Sequence, residues 1–371
     1  MNQRPYLLKQ REIKDEGEIR VGITHGDING IGYEVIMKTM VEEGILNHFV
    51  PIIYGTSKIA SYHRKTLTIP DLPFNHIRRA SQAQKQKFNI VNITDKEVKV
   101  NLGQSTQEAG ELAALALQQA CRDLEEGLID VLVTAPINKH NIQSETFQFP
   151  GHTEYLAHRF DACCPLMLMV AGNLRIGTIT GHLPLRKVAD SINEDLIITK
   201  IKITEKSLIQ DFGITKPRIA VLSLNPHAGD QGLLGDEDEK IVVPAIQKAF
   251  EEGYLVFGPY PADGFFGSGE FYKFDAILSM YHDQGLTPFK LLAEGRGVNF
   301  TAGLPIVRTS PAHGTAYEIA GKDQASSLSM REAIFLAIDI YHSRLQYAEM
   351  TANPLRKSKE GEAATQEEDR P

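Results

Sequence analysis

The chain has 371 residues, 42% hydrophobic and 23% charged, so it can bury a sizeable core and is not a low-complexity, collagen-like or disordered polymer. Lys and Arg number 39 against 47 Asp and Glu, a formal charge of -8, which excludes a whole-surface nucleic-acid binder and leaves room for a local cationic pocket holding an acidic metabolite. Three cysteines, two of them adjacent at Cys163 and Cys164, give neither a disulfide framework nor a Cys-x-x-Cys pair, and no run has the ~18 apolar residues of a membrane span or the apolar core of a signal peptide. A soluble cytoplasmic protein is expected, with two domains or one large one at about 150 residues per domain.

Short runs rich in Val and Ile alternate with longer segments of helical spacing, the pattern of an α/β fold with a mostly parallel sheet. In chain order, residues 1–17 are charged and poor in large apolar groups, a mobile extension. A strand at 19–24 leads to a helix at 32–43, then a strand at 50–54. Ser105-Thr106-Gln107-Glu108 reads as a capping box opening a helix with Ala109, Leu112, Ala113, Ala116, Leu117, Ala120 and Leu124 on one stripe; Gly127 closes it. Strands follow at 129–134, 166–170 and 176–180, a helix at 194–212, a strand at 218–224, a helix at 237–252, a strand at 275–280 and a helix at 330–346. Residues 351–371 form a second mobile tail.

Loops after the carboxyl ends of strands in an open α/β sheet share one edge, so reactive groups there are expected to converge. Five such loops stand out. The first is His25-Gly26-Asp27-Ile28-Asn29-Gly30-Ile31-Gly32, where Val35 defeats the Gly-x-Gly-x-x-Gly fingerprint but the strand–turn–helix setting still offers backbone N–H groups to an anion. The second is Ala135-Pro136-Ile137-Asn138-Lys139, and three more end in His182, His227 and His282. Read alone, these histidines fit either a three-ligand metal site with open positions or three unrelated loop residues. Asp263 and Asp283 fit either carboxylates that orient or join such ligands or turn formers. Residues 290–299 with Arg308 concentrate donors for a phosphate or carboxylate, or for ordinary surface ion pairs.

Several long motifs occur in fixed order between residues 19 and 346: GHTEYLA from Gly151, GHLPLR from Gly181, LNPHAGDQGLLG from Leu224, MYHDQGLTPFK from Met280, GRGVNFTAGLPIVRTS from Gly295 and HGTAYEIAG from His313. By these the chain resembles the 4-hydroxythreonine-4-phosphate dehydrogenases of pyridoxal phosphate biosynthesis. The resemblance implies a two-lobed fold of the isocitrate and isopropylmalate dehydrogenase type with a central cleft. One lobe is expected from residues 18–140 and 300–350 on the cofactor side, the other from 141–299 on the metal, substrate and dimer side. It implies NAD-dependent oxidation of 4-phosphooxy-L-threonine followed by decarboxylation, with D-threonate or D-erythronate 4-phosphate as the alternative substrates. It also implies a divalent metal (zinc, cobalt or magnesium) on His182, His227 and His282, and substrate contacts at His152, Thr153, Lys290, Asn299 and Arg308. The cofactor loop would use His313, Gly314, Thr315, Ala316 and Gly321. The partner implied is a second copy of the chain, in a homodimer whose active site draws on both subunits. The first turn departs from the family's usual Pro-Gly-Glu-Pro-Ala-Gly-Ile-Gly, and Thr287-Pro288-Phe289 departs from the usual residues before Lys290.

Overall fold

The computed structural model describes residues 18–145 and 147–353; the extension expected at 1–17 and most of the tail expected at 351–371 lie outside the described residues. Twelve strands form one continuous sheet: β1 Arg20–Thr24, β2 Val50–Gly55, β3 Phe74–Ile77, β4 Phe88–Asn92, β5 Val131–Thr134, β6 Leu166–Ala171, β7 Leu174–Thr178, β8 Ile219–Leu222, β9 Val256–Tyr260, β10 Ala276–Ser279, β11 Val298–Ala302 and β12 Arg308–Pro311. The helices are α1 Gly32–Met40, α2 Ser57–Arg64, α3 Gln107–Glu125, α4 His152–Arg159, α5 Val188–Ser191, α6 Glu194–Gln210, α7 Val243–Glu251, α8 Ala262–Gly267, α9 His282–Ala293 and α10 Leu328–Ala352. The chain is thus a mixed α/β protein with a mostly parallel sheet. Among the described residues no helix is long and apolar enough to cross a membrane.

Every expected strand and helix is present with shifted ends, and three details are corrected. The helix expected from Ser105 is capped by Thr106, whose Oγ1 accepts from the Ala109 amide at 3.3 Å. The helix expected over 237–252 opens with a π turn at Asp238–Val242 before α7. Strands β3, β4, β9, β11 and β12 and helices α2, α4, α5, α8 and α9 were not expected, and α4, α9, β11 and β12 carry much of the site.

The strand order is β3-β4-β2-β1-β5-β12-β11-β6-β7-β10-β8-β9. The block from β3 to β12 is parallel, and so is the block from β7 to β9. Between them β11 and β6 pair antiparallel with each other and with their outer neighbours. The two blocks therefore run in opposite directions. This overturns the expectation of one shared edge, since the loops after β1 and β5 leave one edge and those bearing His182, His227 and His282 leave the other, but the expected convergence holds in part: the loop after β5 lines one cavity with His182 and His282.

Side-chain alternation decides where a site can form. On one face, Val131, Val133, Val307, Phe300, Leu168 and Val221 join α1, α6, α7 and α10 in a core that runs beneath both blocks. The opposite face carries two separate cores. One packs Leu132 and Ile306 against α3 and α4; the other packs Met169, Ile277 and Leu222 against α8 and α9. The gap between them is floored by the central strands. At its far side, the buried pair of Arg344 on α10 and Asp211 after α6, 2.6 Å apart, fastens elements of the two blocks together.

Candidate active site

In that gap Asn299 stands opposite Ser310 and Met169, Thr301 stands opposite Met167, and Arg308 pairs with Leu132 two residues before Thr134. Alternation turns these polar side chains to the face between the two apolar cores, where Thr134, Asn299, Arg308 and Ser310 floor a cavity of about 270 Å³. Arg308 is buried at the centre of the floor. Its Nε and Nη2 donate to Thr134 Oγ1 at 3.1 and 2.6 Å, its Nη1 to Thr301 Oγ1 at 3.1 Å, and its Nη2 to His152 Nδ1 at 3.0 Å. Burial pushes its pKa down to about 10, against a smaller opposing pull from Glu154. All its hydrogen-bonding partners are uncharged groups, and a buried cation without a counter-ion is costly. An anionic ligand would relieve that cost.

His152, the first residue of α4, is buried beside it. Desolvation first, then the charges of Arg308 and Lys139, hold its pKa well below 6.5. The ring is therefore neutral, with Nδ1 accepting from Arg308 and the proton on Nε2. Asn299 Oδ1 is buried without a protein partner. Thr153 and Lys290 also line the cavity, so His152, Thr153, Lys290, Asn299 and Arg308 are all brought together. Lys139, from the loop after β5 that the sequence singles out, lines it as well, and so do Glu154 and Ser310, which were missed. The capping turn Gly151-His152-Thr153-Glu154 was the signal available for Glu154.

The histidines divide. Ile179 N donates to Ser279 O at 2.8 Å, and Thr180 Oγ1 to Met280 O at 2.6 Å. These bonds extend the β7–β10 ladder, so the residues two positions beyond each, His182 and His282, lie side by side with ring centroids 5.1 Å apart. Gly285 lets α9 seat there, since a Cβ would collide with Ser279. Asp283 lies 2.7 Å from His282 Nδ1; with that nitrogen donating to the carboxylate, Nε2 is left as a lone-pair donor. Burial lowers the pKa of His182, as do Lys139 and His282 nearby. His227 is exposed and outside this cavity, and among the described residues no three His, Cys, Asp or Glu side chains converge as a metal cluster. One chain thus presents two of the three expected imidazoles. Asp263 is likewise exposed, on the first turn of α8, away from the cavity.

The His227 loop is nonetheless a built structure. His227, Ala228, Asp230 and Gln231 all have left-handed backbones, an arrangement that costs about 1–3 kcal/mol per residue and persists only where surroundings impose it. Buried Asp238 fixes the entry to this loop by accepting from the amides of Leu224 and Asn225 at 2.7 and 2.8 Å.

The cofactor-loop residues follow β12. His313 and Gly314 line the cavity, His313 Nε2 is buried without a partner, and a Cβ on Gly314 would meet nothing within 4 Å. Thr315 O accepts from Ile31 N at 3.1 Å, Ala316 has a left-handed backbone, and Tyr317 donates to Asp27 at 2.7 Å; Gly321 closes the loop against Leu102. An orphaned imidazole and an open glycine at the cavity rim fit a bound cofactor. The same contacts correct the anion-site expectation for the first turn. The amides of Asp27, Asn29, Gly30 and Ile31 are already engaged by Pro136 O, the Asp27 carboxylate, Asp27 O and Thr315 O.

Behind that turn, His25 stacks on Tyr33 at 5.3 Å and Tyr33 on His63 at 5.1 Å. Desolvation lowers both histidines to about 4. The unfolded chain therefore binds more protons than the folded one between pH 4 and 6.5, and stability falls as pH drops through that window. About 3 kcal/mol per histidine is expected to be lost by pH 4 relative to pH 7. Urea unfolding at pH 7 and pH 4.5 checks this: His25→Leu should flatten the pH dependence, and an unchanged slope would disprove the assignment.

A family model, the pyridoxal phosphate biosynthetic protein PdxA, matches residues 47–337. The chain is 54% identical over 344 residues, 92% of its own length and 94% of the relative's, to a 4-hydroxythreonine-4-phosphate dehydrogenase of Bacteroides thetaiotaomicron. It is 35% identical over 324 residues to an Oceanobacillus iheyensis protein named for D-threonate 4-phosphate dehydrogenase activity, covering 86% of this chain and 97% of that one. The crystal structure of a 4-hydroxythreonine-4-phosphate dehydrogenase from Klebsiella pneumoniae superposes with a TM-score of 0.75 at 34% identity, over 88% of this chain and all of that one.

Proposed function

This chain belongs to the pyridoxal phosphate biosynthetic protein PdxA family and is a dehydrogenase, and from that premise we propose that it oxidises 4-phosphooxy-L-threonine with NAD. The C3 hydroxyl loses its proton and C3 its hydride, giving 2-amino-3-oxo-4-phosphooxybutanoate, which loses carbon dioxide to leave 3-amino-2-oxopropyl phosphate. The observation that carries this reading is buried Arg308, fanned over Thr134, Thr301 and His152 without a carboxylate. A phosphate would supply the missing charge.

Arg308 and Lys290 hold the phosphate by charge-assisted bonds, Asn299 and Thr153 complete its hydrogen bonding, and neutral His152 donates from Nε2. Remote binding energy then positions the carbinol carbon. His313, Gly314, Thr315, Ala316 and Gly321 would hold NAD, which would supply the hydride acceptor. His182 and His282, with His227 from a second copy of the chain, would hold a divalent cation, which would supply Lewis acidity for the oxidation. Asp283 keeps His282 in the ligating tautomer. The active form is a homodimer: Leu185 and Leu233, 72% and 79% exposed, flank the His182 and His227 loops as apolar surface suited to burial against a second copy.

Formation of reduced cofactor, followed by absorbance with 4-phosphooxy-L-threonine and NAD before and after chelation, tests the proposal. Metal-dependent reduction is the expected result; none from folded, dimeric protein with zinc, cobalt or magnesium restored would reject it. D-threonate 4-phosphate is the competing substrate, favoured by the Oceanobacillus relative.

A further inference from the structure

Asp27, in the turn after β1, is 1% exposed. Its carboxylate accepts from three uncharged donors: Asn29 N at 2.8 Å on Oδ1, and Asn141 Nδ2 at 2.8 Å and the Tyr317 hydroxyl at 2.7 Å on Oδ2. Asn141 follows the loop after β5 that carries cavity-lining Lys139, and Tyr317 belongs to the loop whose His313 and Gly314 line the cavity. A buried carboxylate is costly to leave short of donors, so the bond to Tyr317 holds firmly. Burial first and Asp27 next push the Tyr317 phenol up to about 12, and its oxygen keeps the proton that it donates.

That bond falls inside a segment of unfavourable backbone. Ala316, just before Tyr317, is left-handed at φ 47°, and Asp323 is left-handed at φ 58°; such conformations persist only where the surroundings hold them. The ends of the segment are tied separately. Ile31 N donates to Thr315 O at 3.1 Å, Ala325 N to Glu34 Oε1 at 2.8 Å, and Lys38 Nζ to the carbonyls of Asp323 and Ala325 at 3.1 and 3.0 Å. Between those ties the Tyr317 side chain reaches the rest of the chain, with Asn138 and Ser105 beside the same hydroxyl. We propose that Asp27 is a positioning residue for the dinucleotide: through Tyr317 it presets the 313–321 loop in its binding shape before NAD arrives. Its contribution is to NAD affinity, since a loop already ordered loses less conformational entropy on binding.

This rests on the reading of residues 313–321 as the NAD loop, and the test separates the two. NAD affinity is measured by calorimetry for the parent, Tyr317→Phe, Asp27→Asn and the double variant, and hydrogen exchange of residues 313–325 is followed in the NAD-free proteins. Tyr317→Phe, which keeps the ring and deletes only the donor, should weaken NAD binding about tenfold and speed exchange in that segment. KM for NAD should rise in parallel, with kcat at saturating NAD and KM for 4-phosphooxy-L-threonine within about twofold of the parent. The double variant should bind NAD no worse than the weaker single variant, because both substitutions remove the same bond. Unchanged NAD affinity in folded Tyr317→Phe, or affinity lost with exchange at 313–325 unaltered, overturns the positioning role and leaves the dehydrogenase reading standing. A folded parent protein that binds no NAD defeats both.

Discussion

Arg308→Met is expected to lower kcat/KM by about 10³-fold while the protein stays folded. The one Nη1 hydrogen not given to Thr134, Thr301 or His152 offers a charge-assisted bond of about 1.5–3 kcal/mol, and the attraction of a buried cation for a phosphate supplies the rest of a loss of that size. Stability should hold or rise, because the substitution removes a buried cation whose hydrogen-bonding partners are all uncharged. Arg308→Lys is not expected to rescue activity. The guanidinium spreads its donors over Thr134, Thr301 and His152 at once, and one ammonium cannot reproduce that planar fork. Initial rates, inhibition by inorganic phosphate and thermal melting together decide the matter. Activity within tenfold of the parent, with phosphate inhibition retained, would remove Arg308 from the phosphate site.

The second large effect is expected at the histidines, where the arrangement makes a prediction that separate substitutions alone cannot. His182→Ala, His227→Ala and His282→Ala should each lower turnover by more than the ~10–100-fold typical of losing a partner that only orients a ligand, with metal content falling in parallel. If His227 reaches the site of the other subunit, mixing unfolded His182→Ala and His227→Ala chains and refolding them should restore about a quarter of parent activity. About half the dimers would be mixed, and each mixed dimer would hold one intact site and one doubly defective site. No recovery from mixed dimers demonstrated by mass spectrometry would show that the three histidines act within one chain or that His227 takes no part.

Much of the fold was legible because the relevant signals are local. The apolar stripe of α3 and the Val/Ile runs of β1, β2, β5 and β8 follow from burial of regular elements on one or both faces. The missed elements fail for a shared reason. Strand β12 reads Arg-Thr-Ser-Pro and is wholly buried, so its polarity points to a surface loop when it floors a cavity. Strand β11 does alternate, with Val298, Phe300 and Ala302 toward the continuous core and Asn299 and Thr301 toward the site, but five residues give a weak pattern. Helix α9 contains Gly285 and Pro288, both unfavourable in a helix interior, and is held there by packing.

By itself the sequence determined the α/β class, the motif set that carries the family resemblance, and the residue types of the site: imidazoles at strand ends, cations for an anion, a glycine-bearing loop for a cofactor. Only the tertiary structure decided how they meet. Two antiparallel strands at the centre reverse one half of the sheet, so the site forms on a face between two apolar cores and not along a shared edge. That reversal is set by long-range strand pairing, which leaves no local trace. The same pairing puts His182 beside His282, leaves His227 outside the cavity, and brings Lys139, Lys290 and Arg308 to its lining. Proximity across more than a hundred residues of chain, and the loss of solvent that gives a buried charge its force, are properties of packing.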